Sequence, residues 1–206
     1  MTALFVKGLA FGFVLAATVG PMWLLCFRRT IASGALAGLV TGMGIAVGDA
    51  IYGAIAAFGL TAISGLLLAH RLWLGLLGAA FLAYLGIRAL TAPPAAAGDD
   101  RAPSPPLASA FLSTLGLTLA NPPTILAFAA IFAGLGLSSA GGDYLSAILL
   151  VIGVFLGSAL WWLLLSGGIG LFRAGFPPSG LIWVNRISGA IIAGFGLLAL
   201  FGSRPG

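Results

Sequence analysis

The apolar residues of this chain are gathered in long runs rather than in the alternating pattern typical of half-buried strands. Six runs are long enough to cross about 30 Å of hydrocarbon as α-helices, whereas barrel strands would need only about 10 residues each. They cover residues 8–27, 35–63, 72–90, 107–135, 145–168 and 181–201. The pattern predicts an all-α membrane protein with six transmembrane helices.

Polar and charged residues are concentrated in the breaks between these runs. Arg28 and Arg29 follow the first run, which favours a genuine span over a cleavable signal peptide. The stretch 91–106, TAPPAAAGDDRAPSPP, is rich in Pro and Ala and predicts a flexible linker loop. We therefore expect a first three-helix unit at 1–90, this linker, and a second three-helix unit at 107–206.

The two units resemble each other at an offset of about 110 residues. The segments that align without a gap are 72–90 with 182–200 and 44–52 with 153–161. One such match between Ala-, Gly- and Leu-rich helices arises by chance, but two at nearly the same offset favour a repeat. Because each repeat holds an odd number of spans, the second must insert upside down. This is the inverted-repeat plan of many secondary transporters.

Two spans carry a break that a lipid-exposed helix would not tolerate. Gly20-Pro21 interrupts the first span, and Asn121-Pro122 interrupts the fourth in the corresponding place. Pro cannot continue the helical hydrogen bonding, and lipid cannot satisfy the backbone groups that are freed. Each pair also reads as an N-cap followed by Pro at the first helical position. A lone Pro in a membrane helix often marks only a kink, but two at matching places favour a binding site.

Asp49 is the one acidic residue inside any of the six runs. A charge at this depth costs at least about 2.5 kcal/mol, and intramembrane ionisable groups commonly belong to substrate or proton pathways. The alternative is a structural acid that is neutral or paired with Arg. At 100° per residue, Thr41 and Tyr52 share the face of Asp49, which predicts a polar seam for substrate binding.

Other residues of spans two, five and six are assigned to packing or gating. Gly44 and Gly48 in span two, and their counterparts Gly153 and Gly157 in span five, would let a helix or a ligand approach the backbone closely. The remaining members of this group are Ser158, Asn185 and Arg186. Arg186 has two interpretations: it extends to the headgroups, or it closes a gate or pairs with Asp49.

Composition strengthens the membrane assignment, since 61% of the 206 residues are hydrophobic and 6% are charged. The charged residues behind the net charge of +5 lie mostly between the runs, so this charge marks topology and anionic headgroups rather than a nucleic-acid surface. Counting Lys and Arg places the N-terminus outside. One Cys, one His and one intramembrane Asp make a poor ligand set, so neither a metal nor a cofactor is expected.

Together these motifs resemble the LysE/RhtB family of amino-acid exporters, six-helix proteins of the bacterial inner membrane. The resemblance covers nearly the whole chain and rests on Val19-Gly20-Pro21, Gly48-Asp49, the GAAFLAYLG stretch at 78–86, Asn121-Pro122-Pro123 and the NRISG stretch at 185–189. Val19 and Pro123 replace a Pro and a Lys of the family pattern. The missing Lys removes a cation near the predicted site, so the substrates of better-matched members are not carried over.

The resemblance implies an exporter of a small amino acid or related metabolite, coupled to proton antiport. Its substrate carboxylate would meet Gly20, Pro21, Asn121 and Pro122, and its ammonium would meet Asp49, which also takes the proton. A neutral amino acid is favoured over lysine, because a second buried ammonium would need a second acid. The expected partners are the amino acid, protons, the lipid bilayer and a second copy of the chain in a homodimer.

Two other classes of protein are alternatives to a transporter. An intramembrane protease would need a Ser–His pair or two aspartates within the spans, and metal-dependent lipid enzymes carry acid clusters. The runs offer neither, so an enzyme is not expected. An exporter of a cation or another small solute, and a scaffold subunit that transports nothing, stay open as alternatives.

Overall fold

The computed structural model describes residues 2–57, 69–91, 106–121, 124, 128, 144–172 and 178–202. Every regular element in these ranges is an α-helix, as the apolar runs predicted. The helices are α1 (Thr2–Ala17), α2 (Pro21–Ser33), α3 (Ala35–Ala57), α4 (Arg71–Thr91), α5 (Leu107–Leu119), α6 (Tyr144–Phe172) and α7 (Pro178–Gly202).

Two of the described helices, α3 and α6, are long and apolar enough to cross a membrane, and α1 with α2 makes a third span if the bent pair counts as one. Shorter apolar helices are found at Leu72–Arg88, Leu107–Leu119 and Ile182–Phe195. The all-helical membrane class is therefore supported. The number of six spans stays a prediction.

The first predicted span is broken where the sequence indicated. Gly20 separates α1 from α2, and the two helices meet at an angle of 75°. The predicted end of this span at residue 27 is wrong, because α2 runs on through Arg28 and Arg29 to Ser33. The helix ends at Gly34, whose φ of 92° is readily adopted only by glycine, so the chain can turn directly into α3.

Close backbone contacts at glycines hold the helices together. A Cβ placed on Gly157 of α6 would lie 2.0 Å from the Leu9 carbonyl oxygen of α1, and one on Gly44 of α3 would lie 2.4 Å from the Phe111 carbonyl oxygen of α5. Gly86 of α4 meets the backbone of α7 in the same way. Lipid tails offer little hydrophobic incentive for association, so such close packing is the main source of helix attraction.

The outer surface of the bundle is apolar. On α6 alone, the exposed large side chains include Leu145, Ile148, Ile152, Leu156, Leu160 and Leu163. In water a continuous patch of this kind would promote aggregation. In a bilayer it is the surface that meets acyl chains.

Candidate functional site

A cavity of about 490 Å³ lies between the two helix breaks. Gly20 and Pro21 border it at the first break, Asn121 at the second, and Asp49 from α3. Residues that the sequence placed on three separate spans thus meet in one space. Its other lining residues include Leu15, Ala16, Thr18, Met22, Trp23, Ile45, Gly78, Ala79, Leu82, Leu117, Thr118, Thr124, Trp162 and Phe195.

At the first break, the start of α2 presents backbone N–H groups that have no acceptor within the helix. Gly20 has an extended backbone, with φ of −159° and ψ of −172°, and forms no side-chain cap on α2. The first N–H groups of α2, at Met22 and Trp23, therefore have no helical acceptor. Because both residues line the cavity, the positive end of the α2 dipole lies at its wall. Backbone N–H groups of this kind bind anions.

At the second break, Asn121 forms a different contact from the one predicted. The Asn121 side-chain amide donates to the Thr124 hydroxyl over 2.9 Å, and the Thr124 N–H donates to the Asn121 backbone oxygen over 3.1 Å. α5 ends just before, with the Ala120 N–H bonded to the Gly116 oxygen. Pro122 and Pro123 lie outside the described residues. The Asn121 amide is therefore partly committed to local structure.

Asp49 is buried with a single described partner on another helix. It is 2% exposed, and its Oδ2 accepts a 2.8 Å hydrogen bond from the Ser158 hydroxyl of α6. A charge-assisted bond of this type contributes more than a neutral one. Arg186 is exposed on α7 and is not among the described contacts of Asp49. Of the two interpretations of Arg186, pairing with Asp49 therefore has no support among the described contacts.

Thr41 and Tyr52 are buried beside Asp49 on α3 but lie outside the cavity lining. The Thr41 hydroxyl donates to the Ala37 oxygen and accepts from Arg29, and the Tyr52 hydroxyl donates to the Leu119 oxygen. The shared face was predicted correctly from the helical period. Hydrogen bonds to neighbouring helices, which the period cannot show, keep these hydroxyls away from the cavity.

Arg29 is a buried cation that the sequence reasoning placed in a break between spans. Its guanidinium donates to the Ser113 hydroxyl at 2.9 Å, to the Ala110 oxygen at 3.0 Å and to the Thr41 hydroxyl at 3.3 Å. These contacts join α2 to both α3 and α5. No acid is among its described partners, so neutral oxygens hold the charge. Its neighbour Arg28 is more exposed as a whole, but the Arg28 Nε and Nη1 are buried and have no acceptor among the described residues.

The residues assigned to packing or gating have separate locations. Gly44 and Gly48 lie against α5, and Gly153 and Gly157 lie against α1, so all four are in helix contacts. Ser158 was assigned to the same group but contacts the Asp49 carboxylate. The Asn185 side chain lies outside the described residues.

The sequence reasoning missed two tryptophans of the lining, Trp23 and Trp162. Trp162 follows Ser158 by four residues, so both lie on one face of α6. The spacing is visible in the sequence, but it indicates Trp162 only once Ser158 is known to contact Asp49.

A second space of about 560 Å³ is an apolar groove, lined by Phe27, Ile31, Trp161, Leu164, Leu165, Gly168 and Ile169. It holds no ionisable group.

The fold and the cavity define a helical membrane protein with a mostly apolar cavity between two helix breaks, bordered by Asp49 and Asn121. The family model of the LysE type translocators matches residues 13–203, and the chain belongs to this family. It is also 29% identical to the chemotactic transduction protein ChpE of Pseudomonas aeruginosa, over 98% of this chain and 100% of that protein. No solved structure matches the chain. Family membership makes it a membrane transporter rather than an enzyme.

Proposed function

We propose that the protein exports a small neutral amino acid, or a related metabolite, across the bacterial inner membrane in exchange for protons. The observation that carries this proposal is the shared cavity. It joins the single described acid of the spans, Asp49, to the open N-terminus of α2 at Gly20-Pro21. A carboxylate and a helix N-terminus are complementary to the two charges of a zwitterion.

In this proposal the substrate lies between those two ends. Its carboxylate accepts from the free N–H groups of α2, and the Asn121 side chain contributes from the second break. Its ammonium meets the Asp49 carboxylate, which Ser158 orients. The cavity of about 490 Å³ has room for one amino acid and some water. Cavities for larger ligands reach about 1,000 Å³.

Proton coupling follows from competition for Asp49. A proton on the carboxylate removes the charge that attracts the ammonium, so the proton and the substrate bind in turn. One carrier conformation then releases substrate and takes a proton, and the other does the reverse. A substrate with a second ammonium would leave that charge unpaired among the described lining residues, which favours neutral amino acids.

We also propose that the two halves form inverted repeats that rock against each other. The glycine contacts support this arrangement. Gly44 and Gly48 of α3 receive α5, while their sequence counterparts Gly153 and Gly157 of α6 receive α1. Each half thus packs against the first helix of the other half, as expected if a two-fold axis relates the two halves. The outside location of the N-terminus and the homodimer stay predictions.

The test is uptake into everted membrane vesicles, whose lumen corresponds to the outside of the cell. With an acid lumen, the vesicles should accumulate a labelled neutral amino acid, and dissipating the pH gradient should abolish accumulation. Asp49→Asn should lose the pH-driven component at unchanged expression. Ser166→Ala is a matched control, since Ser166 is buried on α6 and lies outside the cavity lining. Gradient-driven accumulation by Asp49→Asn would contradict the coupling mechanism.

A second candidate function is signalling, which is favoured by the name of the similar Pseudomonas aeruginosa protein, a chemotactic transduction protein. A subunit that only relays or assembles would accumulate no amino acid in the vesicle assay. It would also retain its effect on chemotaxis after Asp49→Asn. The wild-type protein therefore distinguishes the two candidates in the vesicle assay, because only an exporter accumulates the amino acid.

A further inference from the structure

Two tryptophans at the cavity have unused hydrogen-bond donors. Trp162 is 1% exposed, and its Nε1 is buried without an acceptor in the described part of the chain. The Trp23 Nε1 is in the same state. The indole nitrogen can only donate, and a buried donor without an acceptor lowers stability. Both residues line the cavity that holds Asp49.

Gly42 allows the Trp162 side chain to pack directly against α3. A Cβ added to Gly42 of α3 would lie 2.3 Å from the Trp162 Cβ and 2.5 Å from its Cγ, so only glycine allows the side chain to pass. Trp23 lies in the first turn of α2 and stacks on Phe27, with ring centroids 5.3 Å apart. Its N–H is therefore carried by the same helix end that presents the free backbone N–H groups.

We infer that Trp162 is a substrate-binding residue that donates its indole N–H to the substrate carboxylate, with Trp23 as a second donor from the α2 end. This inference rests on the proposed export of a zwitterion and deepens it. Neither nitrogen is open to solvent in this conformation, so the contact forms when substrate entry turns the ring or separates α2 from α6. Binding then supplies an acceptor to donors that have none among the described residues.

The same lining specifies the side chain of the substrate. The other walls carry apolar residues such as Leu15, Ile45, Leu82, Leu117 and Phe195. The lining hydroxyls of Thr18, Thr118 and Thr124 already have hydrogen-bond partners within the chain. Polar side-chain atoms would find few partners there and would lose hydration. The substrate class is therefore a small amino acid with an aliphatic side chain.

The test compares leucine with leucinamide, which keeps the ammonium and the side chain but lacks the carboxylate. Binding of both to the purified full-length protein is measured by calorimetry at about pH 6.5. This is below the pKa of about 7.8 of an α-amino group beside an amide, as in leucinamide, so both ligands carry an ammonium. Trp162→Phe keeps an aromatic ring and removes the donor. Trp161→Phe is the matched control, because the Trp161 Nε1 is also unpartnered among the described residues but lies on the apolar groove.

The wild-type protein and Trp161→Phe should prefer leucine over leucinamide, and Trp162→Phe should lose about tenfold of this preference, as expected for a hydrogen bond to a charged group. Equal preference in Trp162→Phe and Trp161→Phe would overturn the inference while leaving amino-acid export intact. If the wild type binds leucine and the other neutral amino acids no better than their amides, both the inference and the proposed function fail. Cys26 labelling on heating checks that each variant is folded.

Discussion

The Ser158 hydroxyl donates a 2.8 Å hydrogen bond to the Asp49 carboxylate across the interface of α3 and α6. The two residues hold the same place in the aligned segments 44–52 and 153–161, so each half supplies one member of the pair. If the halves are related by a two-fold exchange, this bond lies at the axis. A movement of one half against the other would therefore act directly on the carboxylate.

Removing the Ser158 donor should destabilise the protein through Asp49. We expect Ser158→Ala to cost about 1.5–3 kcal/mol, the usual contribution of a hydrogen bond to a charged group. In an Asp49→Ala background the same substitution should cost much less, because the acceptor is already gone. The measurement is the apparent melting temperature of the four proteins of this cycle in detergent.

A matched cycle separates this bond from general packing on α6. Ser166 is also buried, but its contact is a weak 3.8 Å approach to the Cys26 sulfur. Ser166→Ala and Asp49→Ala should therefore be additive. Additivity of Ser158→Ala with Asp49→Ala would show that the hydroxyl does not hold the carboxylate.

Helix type and several helix bounds could be predicted from the sequence because they depend on local composition. The run at 72–90 becomes Arg71–Thr91, and the run at 145–168 becomes Tyr144–Phe172. The Gly20-Pro21 break is also local, since a Pro without an N–H interrupts a helix in any surroundings. The sequence alone placed it correctly.

The parts of the site that were not predicted depend on contacts between helices. Arg29 sits in an apolar segment because Ser113 and the Ala110 oxygen lie within reach on α5, far away in sequence. The helical period placed Thr41 on the same helix face as Asp49. It could not show that Arg29 donates a hydrogen bond to the Thr41 hydroxyl. Hydrogen bonds of this kind decide which polar groups on one face remain available to a ligand.

Glycines of one helix should respond oppositely to the same substitution. Gly157→Ala places a methyl group 2.0 Å from the Leu9 oxygen, so α1 must move away and stability should fall by about 1–3 kcal/mol. Gly167→Ala on the same helix meets nothing within 4 Å and should gain about 0.5–1 kcal/mol from better helix propensity. Melting in detergent compares them. Equal shifts would contradict the close α1–α6 contact.

The two glycines that flank α2 offer a test of backbone conformation. Gly34 has φ of 92° and ψ of 169°, a region almost restricted to glycine, and Gly34→Ala should cost about 1–3 kcal/mol. Gly20 is extended and an added methyl meets nothing within 4 Å, so Gly20→Ala should fold normally. Thermal unfolding followed by circular dichroism gives both values. A larger loss for Gly20→Ala would contradict the open geometry of the break.

Arg29 should contribute to stability through the geometry of its guanidinium rather than through charge alone. Arg29→Lys keeps the charge but loses the planar fork that reaches Ser113 and the Ala110 oxygen together, and we expect a loss of about 1–3 kcal/mol. Arg88→Lys is the control, since Arg88 is exposed and has one long contact to the Tyr84 hydroxyl.

Cys26 is the single cysteine of the chain and is fully buried, so its labelling by a maleimide during heating reports unfolding. Circular dichroism distinguishes unfolding of the whole protein from local opening near the Cys26 thiol. Equal midpoints for the two variants would show that the bonds between α2 and α5 are dispensable.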